Sequence, residues 1–266
     1  MTQQPTPTPL PSKLVLALTV LMLAPVSAQT PAHLRLTAID ADGVPVNKLT
    51  REDLTLRSNG VKLDVISVAP ASPTAQIVAI FEDLAVTQRQ LNDAIAQFIG
   101  SLDETSTVDM QSVDGRLDDA ITLAVGDLHA RAASRPVIVM MGQASEIAPS
   151  ELPSSQVRGR RRAADLSGNV PALAQLLANH GILFYGVSVT NVELPNFQTL
   201  AASTGGRFER LPDSTRLNET LASIGLELGS QLLISYVPNG ASDMFPHLET
   251  NRADVTVRAA PVELTH

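Results

Sequence analysis

The chain changes its hydrophobic rhythm partway along. Residues 33–40, His-Leu-Arg-Leu-Thr-Ala-Ile-Asp, alternate apolar and polar side chains, the two-residue period of a strand buried on one face. Asp42-Gly43 signals a turn. Short apolar groups follow at 44–46 and 49–54. Residues 55–57, a turn at Ser58-Asn59-Gly60, and residues 61–66 then predict a hairpin. Residues 33–70 therefore read as a small β module. Pro70 and Pro73, with small residues between them, read as a linker.

Beyond it, strands and helices take turns. Residues 77–81 predict a buried strand, and Leu91, Ile95, Phe98, Ile99 and Leu102 fall at helical spacing. A weak strand at 108–113 precedes a helix marked by Leu117, Ile121, Val125 and Leu128. Strands at 137–141 and 182–189 flank a helix at 170–178. A short helix at 197–202, a turn at Gly205-Gly206 into a short strand, and a helix at 217–228 follow. This alternation predicts a doubly wound α/β fold: a mostly parallel central sheet with helices on both faces. Strands at 232–237 and 253–258 are expected to return to the N-terminal module, so that both chain ends build it. The expected division is 1–28 leader, 29–73 β module, 74–230 α/β domain and 231–266 returning strands.

Composition narrows the classes. Hydrophobic residues make up 44% of the 266, enough for a real core. A net charge of -8 argues against nucleic acid as a partner, because phosphate binding needs excess Lys and Arg. The N-terminus has the grammar of a secretory signal. Lys13 precedes an apolar stretch at 14–23, and Val26-Ser27-Ala28 offers small residues before an expected cleavage between Ala28 and Gln29. The stretch falls short of the roughly 20 residues that span a bilayer, and no later segment reads as a transmembrane helix. The expectation is a periplasmic or secreted protein. Cys is absent from the sequence, so the exported chain must hold together by packing rather than disulfides.

Motifs for catalysis are missing. The sequence lacks the phosphate-loop pattern and the G-x-S-x-G elbow, and Gly205-Gly206 reads as a tight turn. The five His have no metal-ligand spacing. His180, in Asn179-His180-Gly181, reads as a helix stop. Asp118-Asp119 reads as a helix start, and Asp103, Glu104 and Asp109 read as solvated. The sequence nominates no nucleophile with a base, so the expectation is a non-enzyme without a cofactor.

Three stretches carry a family likeness. They are Val46-Asn47-Lys48-Leu49-Thr50-Arg51-Glu52-Asp53-Leu54, Leu200-Ala201-Ala202-Ser203-Thr204-Gly205-Gly206-Arg207-Phe208, and Leu232-Leu233-Ile234-Ser235-Tyr236-Val237-Pro238. In order and spacing they resemble the von Willebrand factor A domain, most closely its exported bacterial members with flanking β segments. The resemblance implies a protein-interaction module. It also implies three loops that bind a divalent cation through D-x-S-x-S, a Thr and an Asp, with hard oxygen ligands in near-octahedral array.

This sequence departs from that pattern at every loop. Counting from Glu82 puts Leu84 and Val86 where hydroxyls belong; counting from Asp83 puts Ala85 and Thr87 there. Gly115 stands at the Thr position and Gln143 at the Asp position. The reading is a degenerate site that holds no metal, with recognition by the loops carrying Glu82, Asp83, Thr87, Gly115 and Gln143. Asp83 is expected to serve as a helix N-cap. The alternatives are residual weak Mg or Ca binding at Glu82 and Asp83, or an envelope scaffold without a discrete ligand site. Arg158, Arg160, Arg161 and Arg162 form a basic cluster in a polar loop at 145–165. Such a loop could meet an acidic protein partner or an anionic surface, be cut by a trypsin-like protease, or simply lie in solvent.

Overall fold

The computed structural model describes residues 30–72, 74–81, 87–113, 116–142, 145–147, 161–163, 166, 169–239 and 246–262. First in the chain are β1 (Ala32–Asp40), β2 (Leu54–Ser58), β3 (Val61–Leu63) and β4 (Val65–Pro70). The α/β run then contributes β5 (Gln76–Phe81), α1 (Gln88–Gly100), β6 (Thr107–Ser112), α2 (Leu117–Ala130) and β7 (Pro136–Gly142). A short ribbon, β8 (Ser145–Ile147) and β9 (Arg161–Ala163), precedes α3 (Val170–Asn179), β10 (Leu183–Val189), α4 (Pro195–Ser203), β11 (Phe208–Leu211) and α5 (Leu217–Gly229). Last come β12 (Leu232–Tyr236), β13 (His247–Thr250) and β14 (Val255–Val262).

The central sheet has the order β11-β10-β7-β5-β6, and all four pairings are parallel. Its inner strands are apolar on both faces because helices cover both, and all seven residues of β7 are buried. Alternate side chains sort the core into two layers. Ile77, Ala79, Val137, Val139 and Val187 pack with Phe98 of α1 and with Leu221, Ile224 and Leu228 of α5. Val78, Ile80, Ile138, Met140 and Phe184 pack with Ile121 of α2, Leu177 of α3 and Phe197 of α4. The doubly wound sheet with a β module from both chain ends is what the sequence pattern predicts.

That module contains two antiparallel sheets, β14-β1-β12-β4 and β13-β2-β3, around Leu34, Leu36, Leu54, Leu56, Leu63, Ile234 and Tyr236. Its details differ from the expectation. Residues 61–66 are not one strand: the chain leaves the β2 hairpin after Leu63 and joins β12 at Val65. The Asp64 carbonyl accepts from Val237 N–H at 3.0 Å, which draws the peptide toward the other sheet. The returning strand runs on through Pro261, tolerated because β14 is an edge strand and needs no further ladder donor. The stretch at 145–165 is not all loop, since its two ends pair as the β8–β9 ribbon.

Polar side chains join the two halves. Gln231 Nε2 donates to Thr37 Oγ1 of β1 at 2.8 Å and to Tyr185 Oη of β10 at 3.4 Å. Arg135 donates to the carbonyls of Ser72 (2.6 Å) and Leu228, and to Gln231 Oε1 (2.8 Å). Glu227 of α5 lies between Arg258 Nη2 at 2.6 Å and Arg207 Nε at 2.9 Å. Burial, the larger effect, lifts the Glu227 carboxyl above its ordinary range, while Arg258 and then Arg207 pull it down.

Candidate functional site

The strand order places a topological switch between β5 and β7. After β5 the chain passes to α1 on one face; after β7 it passes to α3 on the other. The two crossovers part at the carboxyl ends of these strands, the position where open α/β sheets bind ligands. Phe81 and Gly142 end the strands that border the crevice. Alongside, Val113 N–H donates to the Phe81 carbonyl at 2.9 Å, holding the exit of β6 against that of β5.

In sequence, Glu82 follows Phe81, Gln143 follows Gly142, and Gly115 lies just past β6. These three and Asp83 fall outside the described residues, as do Arg158, Arg160, Ala28 and Gln29. Arg161 and Arg162 lie on β9, in register with Ile147 and Glu146 of β8.

Thr87 is described, and its role is structural. It is the N-cap of α1 with extended φ,ψ of -68 and 150. Its Oγ1 accepts from Gln90 N–H at 3.3 Å and donates to Gln90 Oε1 at 3.0 Å. Its own N–H donates to the same Oε1 at 3.0 Å, completing a reciprocal capping box. The helix cap expected at Asp83 is therefore supplied by Thr87, because Gln90 at the helix's third position lets the amides of both residues be satisfied. A hydroxyl committed in both directions is a poor metal ligand. Gln90 Nε2 reaches Ser214 Oγ at 3.3 Å, which ties this helix start to the turn after β11.

Two further polar groups belong to the carboxyl side of the sheet. Asp213 caps the turn after β11, its Oδ1 accepting from Thr215 N–H at 2.8 Å. Ser188, near the end of β10, is fully buried opposite Gly142, and its Oγ has no hydrogen-bond partner among the described residues. A lone Ser inside the apolar run Phe184–Val189 was the available sequence signal for it.

Other sequence expectations meet mixed outcomes. Asp118 and Asp119 do occupy the first turn of α2, where Arg116 pairs with Asp118 at 3.0 Å. Asp109 is not simply solvated, since Arg131 forms an ion pair with it. Asp103 accepts from the Thr105 side chain and N–H, which hold its carboxyl below the ordinary range. His180 is the C-cap of α3, followed by Gly181 at φ +59, as a helix stop requires. His129 and His180, far apart in sequence, come together with ring centroids 4.7 Å apart. Among the described residues, no three His, Asp or Glu side chains gather as a metal-binding group. No described helix is long and apolar enough to cross a membrane.

No family model matches the sequence, and no curated protein matches it. Among solved structures, the chain is similar to one described as von Willebrand factor type A from Catenulispora acidiphila, with a TM-score of 0.45 and 10% identity. That match covers 76% of this chain and 51% of the other, so it spans about half the length of that protein.

Proposed function

We propose that this chain is an exported, non-enzymatic protein-interaction module of the von Willebrand factor A type, working without a bound divalent cation. The observation that carries the reading is the switch point between β5 and β7. The loops that the family resemblance assigns to metal binding are the ones that leave this crevice. Their sequence is poor in hard oxygen donors: Leu84, Ala85 and Val86 separate Asp83 from Thr87, and Thr87 is engaged in capping α1. Recognition then rests on the shape and hydrogen-bonding groups of the loops carrying Glu82, Asp83, Gly115 and Gln143. The Arg158–Arg162 cluster, between the strands of the β8–β9 ribbon and on β9 itself, adds attraction for an acidic partner.

A functional cation at 100 times its dissociation constant would stabilise the fold by about 2.7 kcal/mol. For a domain of this size that raises Tm by roughly 5–10 °C. The expected outcome is no such change when the purified chain is melted with EDTA and then with excess magnesium. Capture of a protein from the envelope fraction should also be equal in both conditions, and weaker when Arg158, Arg160, Arg161 and Arg162 are replaced by Glu. A magnesium-dependent rise of several degrees, or capture abolished by EDTA, refutes the reading.

A further inference from the structure

The opposite edge of the sheet carries a separate observation, independent of the function proposed above. Strand β1 alternates, so Leu34 and Leu36 enter the β-module core and Arg35 points the other way, toward the α/β body. Arg35 is only 5% exposed. It lines a cavity of about 290 Å³ at the amino ends of β7 and β10, against the last turns of α2 and α3. That volume is at the lower limit of small-ligand pockets, which run roughly 300–1,000 Å³.

Among the described residues, Arg35 has no acceptor for its buried Nη1. Burial, then the neighbouring Arg135, lowers its pKa to about 10, so it stays protonated at neutral pH. The neighbouring Tyr185 supplies no counter-charge at neutral pH, because burial and then Glu227 push its pKa up to about 12. Arg135 has its own acceptors in Ser72, Leu228 and Gln231.

The helix ends do not supply what Arg35 lacks. Their negative dipole ends offset part of its charge, but two carbonyls in each last turn already accept backbone N–H groups. Leu128 O accepts from Ala133 N–H (3.1 Å) and His129 O from Ala132 N–H (2.9 Å). Leu177 O accepts from Ile182 N–H (2.9 Å) and Ala178 O from Gly181 N–H (3.0 Å). This bonding pattern helps close both ends, so a guanidinium with five donors borders the cavity with no acceptor for its Nη1 among the described residues.

We propose that this cavity binds a small organic carboxylate, its two oxygens on the Arg35 guanidinium and its apolar body against Leu128, Ala133 and Ile182. A carboxylate matches the planar fork of Arg, and the apolar walls favour a ligand with a hydrocarbon part over bare phosphate. His129, His180 and Ser134 border the same space and offer ring N–H and O–H groups to the ligand's outer end.

The test is titration of the full chain with benzoate, acetate and inorganic phosphate at matched ionic strength, followed by calorimetry and melting temperature. Benzoate should bind saturably, acetate more weakly and phosphate more weakly still. Arg35→Met should weaken benzoate about tenfold or more, while melting at or above the parent without ligand, because an unpaired buried charge is gone. Ser134→Phe, at an exposed position on the cavity border, should block benzoate without touching the charge, and it serves if Arg35→Met fails to fold. Absence of saturable benzoate binding, equal affinity in either variant, or phosphate binding more tightly than benzoate overturns the proposal.

Discussion

Thr87 shows how one side chain can be claimed by local structure before chemistry can use it. At the start of α1 the first amides have no partner within the helix. Thr87 and Gln90 satisfy two of them reciprocally, leaving the Thr hydroxyl both donating and accepting. Thr87→Ala should therefore destabilise the fold by about 1 kcal/mol, a fall in Tm of roughly 2–4 °C, and Thr87→Ser should restore most of it. Thermal unfolding of the three proteins measures this. An unchanged Tm in Thr87→Ala would mean that the cap does not hold the helix start.

Among the elements, the joint between α4 and β11 is the least forgiving. Helix α4 is followed, after its C-cap Thr204, by Gly205 at φ +77, a conformation that costs L side chains roughly 1–2 kcal/mol. The next residue, Gly206, leaves no room: an added Cβ would lie 1.9 Å from the Phe184 carbonyl oxygen of β10. Backbone cannot swing aside as a side chain can, so β10 itself would have to move. Gly206→Ala should cost about 3 kcal/mol or more. Gly126→Ala is the contrasting case, on the exposed face of α2 with open space around its Cα. It should stabilise by about 0.5–1 kcal/mol, because Ala is the better helix former. Denaturant midpoints of the two variants should move in opposite directions. A harmless Gly206→Ala would contradict the close approach of this turn to β10.

For the molecule as a whole, the seam between the α/β body and the β module sets the response to alkali. The chain has two Tyr and no Trp, and both Tyr185 and Tyr236 are buried. Tyr185, bonded across the seam to Gln231, is pushed up to about 12 by burial and then by Glu227. Its unfolded value is near 10, so the folded value is the higher one. The stabilisation is whole below pH 10 and is lost as pH rises toward 12, a loss of about 3 kcal/mol. Tyrosinate absorbance should stay low at pH 10 and then rise together with loss of the far-ultraviolet dichroism. A smooth titration centred at pH 10 in a folded chain would mean that the seam is open to water.

The sequence by itself determined the architecture, because burial imposes periods that the chain must obey. The apolar runs at 77–81, 137–141 and 182–189 read as strands covered on both faces, as the structure has them, whereas the alternation at 33–40 reads as a strand buried on one face and the structure buries 34–38 on both. The helix stop at His180-Gly181 and the turn at Gly205-Gly206 were equally legible, since backbone geometry there demands particular residues. Only the tertiary structure decided what long-range contact controls. Thr87 rather than Asp83 caps α1 because Gln90 is placed to answer it. The chain changes sheets at Asp64 because β12 lies beside it, and Arg131 finds Asp109 across a parallel crossover. Arg35 reads as an ordinary outward residue of an alternating strand until the α/β body closes over that face. A period records which side of an element is covered, and not which residues cover it.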